Sequence, residues 1–225
     1  MAVAQTEGYG AWIKEEVPVK TPGKQTVVTV PKLTLRWQIL TLDKQNQELA
    51  AASSREFVDG DWVRVAVQVN QAGYLYIINH TIERDGKLTR PTLISKKLNK
   101  VAKDRIVELP ALAGCPSRYQ RNNKCWWRMR KPEGREVITI IFSRNQVNEF
   151  AEAASKSAEE DVYVSDDLIF RLTQKSPEPK RQPWSPADQR RYKLQGIMGD
   201  HVTMVWNPNA RNNEVLVERL EYNHR

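Results

Sequence analysis

The sequence predicts a mainly β protein: an antiparallel β-sandwich-like single domain of roughly eight to ten strands with one or two short helices. Three observations carry this. Apolar and polar residues alternate with a period of two through Leu33–Leu42 and Trp62–Asn70, the pattern of strands with one face turned to a core. The runs Tyr74–Asn79 and Glu136–Ser143 are short and nearly continuously apolar, as strands covered on both faces are. Helical periodicity is clear over 146–156 only, where Val147, Phe150, Ala151 and Ala154 share a face behind Asn145 as N-cap.

Taken in order, residues 1–23 hold Gly8, Gly10, Pro18, Pro22 and Gly23 with little periodicity and are expected to be an extended arm, pairing only where Trp12 and Ile13 find a groove. The β-rich core then spans 24–175. Gln25–Val30 reads as a strand, and Leu33, Leu35, Trp37, Ile39 and Thr41 form one face of a long strand opposite Arg36, Gln38, Leu40 and Leu42. Asp43–Ser54 is polar and reads as a loop or a single helical turn. Asp59-Gly60-Asp61 supplies turn chemistry, Val63, Val65, Val67 and Val69 line one face of the next strand, and Gln71-Ala72-Gly73 predicts a tight hairpin into Tyr74–Asn79. Asp85-Gly86 is a second reversal, with Leu88–Ile94 as a third strand of the meander.

Lys96–Arg105 is a basic connection, and Ile106–Leu109 is a strand stopped by Pro110. After the Glu136–Ser143 strand and the helix, Asp161–Val164 and Leu168–Leu172 are expected to form an edge hairpin about Ser165-Asp166-Asp167. Residues 176–225 read as a proline-rich strap, a short helix from Ser185 to about Gly196, and a closing hairpin of His201–Trp206 with Val215–Tyr222.

The order GD, alternating strand, GYLYIIN, DG, strand, Pro resembles the uncharacterised bacterial domain of unknown function family 4384. Phe57, Gly60, Asp61, Val63, Arg64, Gly73, Tyr74, Leu75, Tyr76 and Asn79 carry the resemblance, more loosely joined by Leu109-Pro110 and Glu136–Ser143, over roughly residues 35–155. Members are appended to kinase-like or caspase-like domains or stand as exported proteins, and no catalytic residues are assigned to the family. The resemblance therefore implies an accessory module. A Cys-flanked insertion after Pro110 is a departure from the family pattern.

The chain has a formal charge of +8, which favours partners bearing phosphate, other anionic polymers or an anionic membrane surface. Apolar runs fall short of the ~18–20 residues of a membrane span. Ala2-Val3-Ala4 followed by Gln5 is similar to the small-residue tail of a signal-peptide cleavage region, so export to the periplasm or beyond is expected, with a cytoplasmic location the alternative. The two cysteines, Cys115 and Cys125, are close in sequence and suit a local disulfide; two free thiols are the alternative.

The most pointed functional stretch is Cys115–Arg135, where Arg118, Arg121, Lys124, Arg128 and Arg130 are interleaved with Tyr119, Trp126 and Trp127. Cations attract polyanions and flat rings stack on bases or sugar faces, the combination found in single-strand nucleic-acid and glycan sites. The competing reading puts Trp126 and Met129, or Trp127 alone, in the core of a strand over Cys125–Arg130, with the arginines in water; adjacent residues of a strand face opposite ways.

Other chemistries find little support. There is no G-x-S-x-G, neither cysteine adjoins a histidine, and three histidines, His80, His201 and His224, are too few for a histidine-rich metal site. Gly196-Ile197-Met198-Gly199 precedes a strand and so makes no phosphate cradle, while Asp61, Glu83 and Asp200 read as turn residues rather than a glycosidase pair. The expectation is a protein without catalytic residues, metal or cofactor: a binding or assembly module of an exported or envelope-associated protein with an unknown protein partner or anionic polymer. The alternative is a basic-aromatic binder of nucleic acid or anionic glycan through Cys115–Arg135, nucleic acid being a partner that is not favoured.

Overall fold

The computed structural model describes residues 12–21, 24–52, 54–95, 100–112, 115–130, 133–155, 162–184, 201–208 and 214–225. Ala2-Val3-Ala4, the lysine-bearing stretch 96–99, the expected helix from Ser185 to Gly196 and the Gly196–Gly199 stretch lie outside them.

Among the described residues the chain forms β1 (Lys14–Thr21), β2 (Lys24–Pro31), β3 (Thr34–Leu42), β4 (Glu48–Ala51), β5 (Trp62–Val69), β6 (Gly73–Glu83), β7 (Thr92–Leu93), β8 (Lys100–Val101) and β9 (Ile106–Leu109). Then follow a 3-10 turn (Ser117–Tyr119), β10 (Gln120–Arg121), β11 (Lys124–Cys125), β12 (Trp127–Arg128), β13 (Gly134–Ser143), α1 (Asn148–Ser155), α2 (Asp166–Lys175), β14 (Lys180–Trp184), β15 (Val202–Trp206) and β16 (Val215–His224). All pairings between these strands are antiparallel. The first sheet runs β12-β5-β3-β15-β14, with β4 also on β3 and β9 also on β5; the second runs β16-β13-β6-β7, with β8 also on β6.

The predicted sandwich is what forms. The valines of β5, Leu35, Trp37 and Ile39 of β3, Leu75 and Ile77 of β6, Ile138, Ile140 and Phe142 of β13, and Leu216 and Leu220 of β16 make one core between the sheets. Each such side chain contributes about 1.5–3 kcal/mol when fully buried. The outer face of the second sheet is covered by the helices, where Tyr76, Ile78 and Ile141 meet Phe150, Leu168 and Leu172. β6 is thus apolar on both sides because both sides are packed.

Two of the expected hairpins are instead crossings between the sheets. β5 belongs to the first sheet and β6 to the second, so Gln71-Ala72-Gly73 carries the chain across the core. Asn70 forces this. Its backbone N–H donates to the Thr34 carbonyl at 3.1 Å, its side chain accepts from Thr34 N at 3.0 Å and donates to the Lys32 carbonyl at 2.6 Å, which pins the end of β5 to β3. Gly73 then lies so close to the end of β13 that a Cβ would sit 2.6 Å from the Ser143 carbonyl oxygen and 2.7 Å from Phe142. The same device recurs between β15 and β16, which are also in different sheets: Asn207 donates from its backbone to the Leu33 carbonyl and from its side chain to the Val215 carbonyl, both at 3.0 Å.

Other expectations are corrected. Residues 166–175 are helix α2 rather than half of a hairpin: Leu168 and Leu172 are one turn apart on its buried side, Ser165 accepts from Leu168 N at 3.2 Å as N-cap, and Asp166 and Asp167 occupy the positive end. The loop after β3 contains β4, after a turn in which Asp43 accepts from Gln45 N and Gln47 N. The strap ends in β14, an edge strand, where Pro183 is tolerated. Of the arm, residues 14–21 form a ribbon with β2, seated on the body by Ile13 and by Trp12, which lies 4.1 Å from the Arg36 guanidinium and donates to Asp104 at 2.7 Å. Burial lowers the Arg36 guanidinium to about 10, opposed by Asp104. No helix among the described residues is long and apolar enough to cross a membrane.

Candidate functional site: a stapled basic and aromatic loop

Residues 115–130 fold back on themselves over the outer face of the first sheet. Asn122 and Asn123 both take positive φ, 53° and 57°, the left-handed conformation that asparagine tolerates best after glycine. They turn β10 into β11, so that Gln120 lies opposite Cys125 and Arg121 opposite Lys124. The Cys115 and Cys125 sulfurs are at disulfide distance, with Cα atoms 5.8 Å apart. Gln120 Nε2 donates to the Cys115 carbonyl at 2.7 Å, so the base of the loop is closed twice.

Three contacts tie the loop down. Asn122 donates to the Asn46 carbonyl at 2.6 Å. Lys124 pairs with Glu48 at 2.8 Å, and Arg64 of β5 pairs with Glu108 at 2.9 Å and Glu48 at 3.7 Å. Trp126 is the plug: it is 1% exposed, packs with Leu40, Leu42, Ala66, Val202 and Met204, and donates from Nε1 to the Arg121 carbonyl at 3.1 Å. Trp127, next in sequence, faces the opposite way and is half-buried against the core between the sheets. The expected continuous strand over Cys125–Arg130 is interrupted at Trp126, which separates β11 from β12.

Of the eight residues the sequence put forward, Lys124 is neutralised and Trp126 is interior. What remains on the surface is a set of arginines seated on rings. The Arg118 and Arg130 guanidinium carbons lie 5.0 and 5.6 Å from the centre of the Tyr119 ring. Those of Arg121 and Arg128 lie 4.3 and 5.6 Å from the Trp62 ring. Among the described residues, none of these four arginines pairs with a carboxylate. Arg121 donates from Nη1 to the Gln120 carbonyl at 2.7 Å and to the Arg118 carbonyl at 3.4 Å, which anchors one end of its guanidinium to the loop. A guanidinium lying on a ring gains about 0.5–1 kcal/mol at an exposed position and keeps its N–H edge free for an anion.

Trp62 is the member the sequence reading missed. It opens β5 beside the Asp59-Gly60-Asp61 turn, where Asp61 accepts from Val58 N at 3.2 Å, and it enters the site because β12 pairs with β5 in a register that sets Arg128 opposite Trp62. Only the pairing reveals this. Elsewhere, Glu136 is buried inside one end of the sandwich and accepts from Thr81 at 3.1 Å and from Asn79 at 3.3 Å; burial pushes its carboxyl above the usual range, opposed by these hydrogen bonds.

No curated protein and no solved structure matches the chain. Residues 56–146, which begin beside Phe57, take in the stapled loop and end just past β13, match the family model described as a domain of unknown function (DUF4384), so that over this stretch the chain resembles that family.

Proposed function

We propose that the chain is a non-catalytic binding module of an exported or envelope-associated bacterial protein, and that the stapled loop is where it holds an anionic polymer. One observation carries this reading: Arg118, Arg121, Arg128 and Arg130 are ordered on two rings with no carboxylate partner among the described residues, while Lys124 and Arg64 beside them are neutralised by Glu48 and Glu108. Four ordered cations held without counter-charges are organised for a ligand that brings the charge. The formal charge of +8 adds long-range attraction. Cysteines at disulfide distance support an oxidising compartment.

The test is titration with fluorescent dextran sulfate across a salt series. Binding is expected to weaken steeply with salt, and Arg128→Ala with Arg130→Ala to flatten the slope of log K against log salt by about 1.5, close to 0.7–0.9 per charge. Salt-independent or absent binding would sink the proposal. A second reading, assembly with a protein partner, is favoured by the β1–β2 ribbon, which leaves Val19, Val27 and Val28 exposed to 40%, 62% and 44%. It predicts association that survives high salt and is lost on Val27→Lys.

A further inference from the structure

We infer that the polymer held at the stapled loop is a base-free chain of tetrahedral oxyanion esters, phosphate or sulfate, gripped by paired guanidiniums, a conclusion that rests on the polyanion reading of the loop. Single-strand nucleic-acid sites add affinity by stacking bases on open aromatic faces. Here the rings are already used. Trp126 is interior, Trp127 packs against the core between the sheets, and Tyr119 and Trp62 each carry two guanidiniums of their own chain. A base stacking on either ring would compete with these arginines for it.

The pairing of the arginines points to the anion. A carboxylate has two oxygens in one plane, the geometry that matches a single guanidinium fork. A phosphate or sulfate ester presents its terminal oxygens in different planes, and two forks can meet it together. Arg121 and Arg128 share the Trp62 ring, and Arg118 and Arg130 share the Tyr119 ring; we assign each pair to one ester group, which suits a ligand whose anionic groups repeat along a chain. Their positions are set by backbone: Arg128 by the β12–β5 register, and Arg121 by the β10–β11 turn and the cysteine pair that closes it.

Labelled dextran sulfate is displaced in competition by unlabelled dextran sulfate, long-chain polyphosphate, hyaluronan, polyglutamate, oligo(dT) and an abasic oligonucleotide of the same length, compared at equal charge. Dextran sulfate or polyphosphate is expected to compete at least about tenfold better than hyaluronan and polyglutamate, and the better of the two identifies sulfate or phosphate as the source. Oligo(dT) and the abasic chain are expected to agree within about twofold. Carboxylate polymers competing as well as the esters, or oligo(dT) surpassing the abasic chain about tenfold, would overturn the inference and leave the polyanion reading standing. Failure of labelled dextran sulfate to bind at all would remove both. The charge-conserving double variant Arg121→Lys with Arg128→Lys, which keeps the charge and loses the forks, is expected to lose the preference for esters over carboxylates; an unchanged preference would refute the double fork.

Discussion

Arg181 reaches from β14, at the edge of the first sheet, to Glu218 on the inward face of β16 in the second, placing Nε 3.0 Å from both carboxylate oxygens and Nη2 2.9 Å from one. Glu218 is 1% exposed, so the pair fastens the two sheets across the open side of the sandwich. Burial raises the Glu218 carboxyl above its usual range, and the hydrogen bonds and charge of Arg181 offset that in part. The folded protein therefore holds this proton more tightly than the unfolded chain, and the associated stability is present at low pH and lost as pH rises through the raised value. Arg181→Ala leaves the carboxylate buried without its cation; since Arg181 is half exposed, the expected cost is about 2–3 kcal/mol near neutral pH, below the full range for a buried pair. Urea denaturation at several pH values checks this: the cost should shrink toward acid pH, and Glu218→Gln combined with Arg181→Ala should remove the dependence on pH.

Gly73→Ala should destabilise the protein by about 1–3 kcal/mol or more, because the new methyl meets the Ser143 carbonyl and the Phe142 ring, neither of which is a flexible chain end. Ala72, exposed one residue earlier, is the control: Ala72→Ser should change the denaturation midpoint hardly at all.

Trp126→Ala should cost about 3–5 kcal/mol, the range for emptying a large buried aromatic site. Trp127→Ala, at a half-buried position, should cost less. Thermal melts of the two variants decide whether the loop is held from beneath by the first of these tryptophans, and equal losses would count against that.

Reducing the Cys115–Cys125 pair, or Cys115→Ser with Cys125→Ser, should lower stability by about 2–3 kcal/mol on chain-entropy grounds for a sequence separation of 10. Mass before and after alkylation under denaturing conditions, on protein purified without reductant, shows whether the bond forms. Two alkylated thiols in protein from an oxidising compartment would contradict it.

Strands whose burial is a matter of composition were legible in the sequence: β3, β5, β6 and β13 announce themselves through apolar runs, and the sandwich follows from having several of them. Pairing was not legible. A three-residue link such as Gln71-Ala72-Gly73 serves a hairpin and a crossing between sheets equally well, and the choice is made by Asn70 binding the main chain of Lys32 and Thr34, far away in sequence. Helix α2 was misread because Ser165-Asp166-Asp167 suits both a turn and an N-cap, and Leu168, Ile169 and Leu172 are too short a stretch for periodicity to separate strand from helix. The candidate loop was visible as a charge and ring pattern, but the roles within it were not. Neutralisation of Lys124 depends on Glu48 and Glu108, and recruitment of Trp62 depends on the register of β12.

The exchange of strands between sheets also bears on how the polypeptide acquires its shape during synthesis. β3, near the start of the described chain, lies between β5 and β15, and β13 lies between β6 and β16, so neither sheet is complete until the last strands have left the ribosome. Folds built from such distant pairings form slowly, in milliseconds to seconds rather than microseconds. Until β15 and β16 are made, the Thr34–Trp37 stretch of β3 and one edge of β13 stand without those partners, and open strand edges of this kind are where a growing chain can pair wrongly.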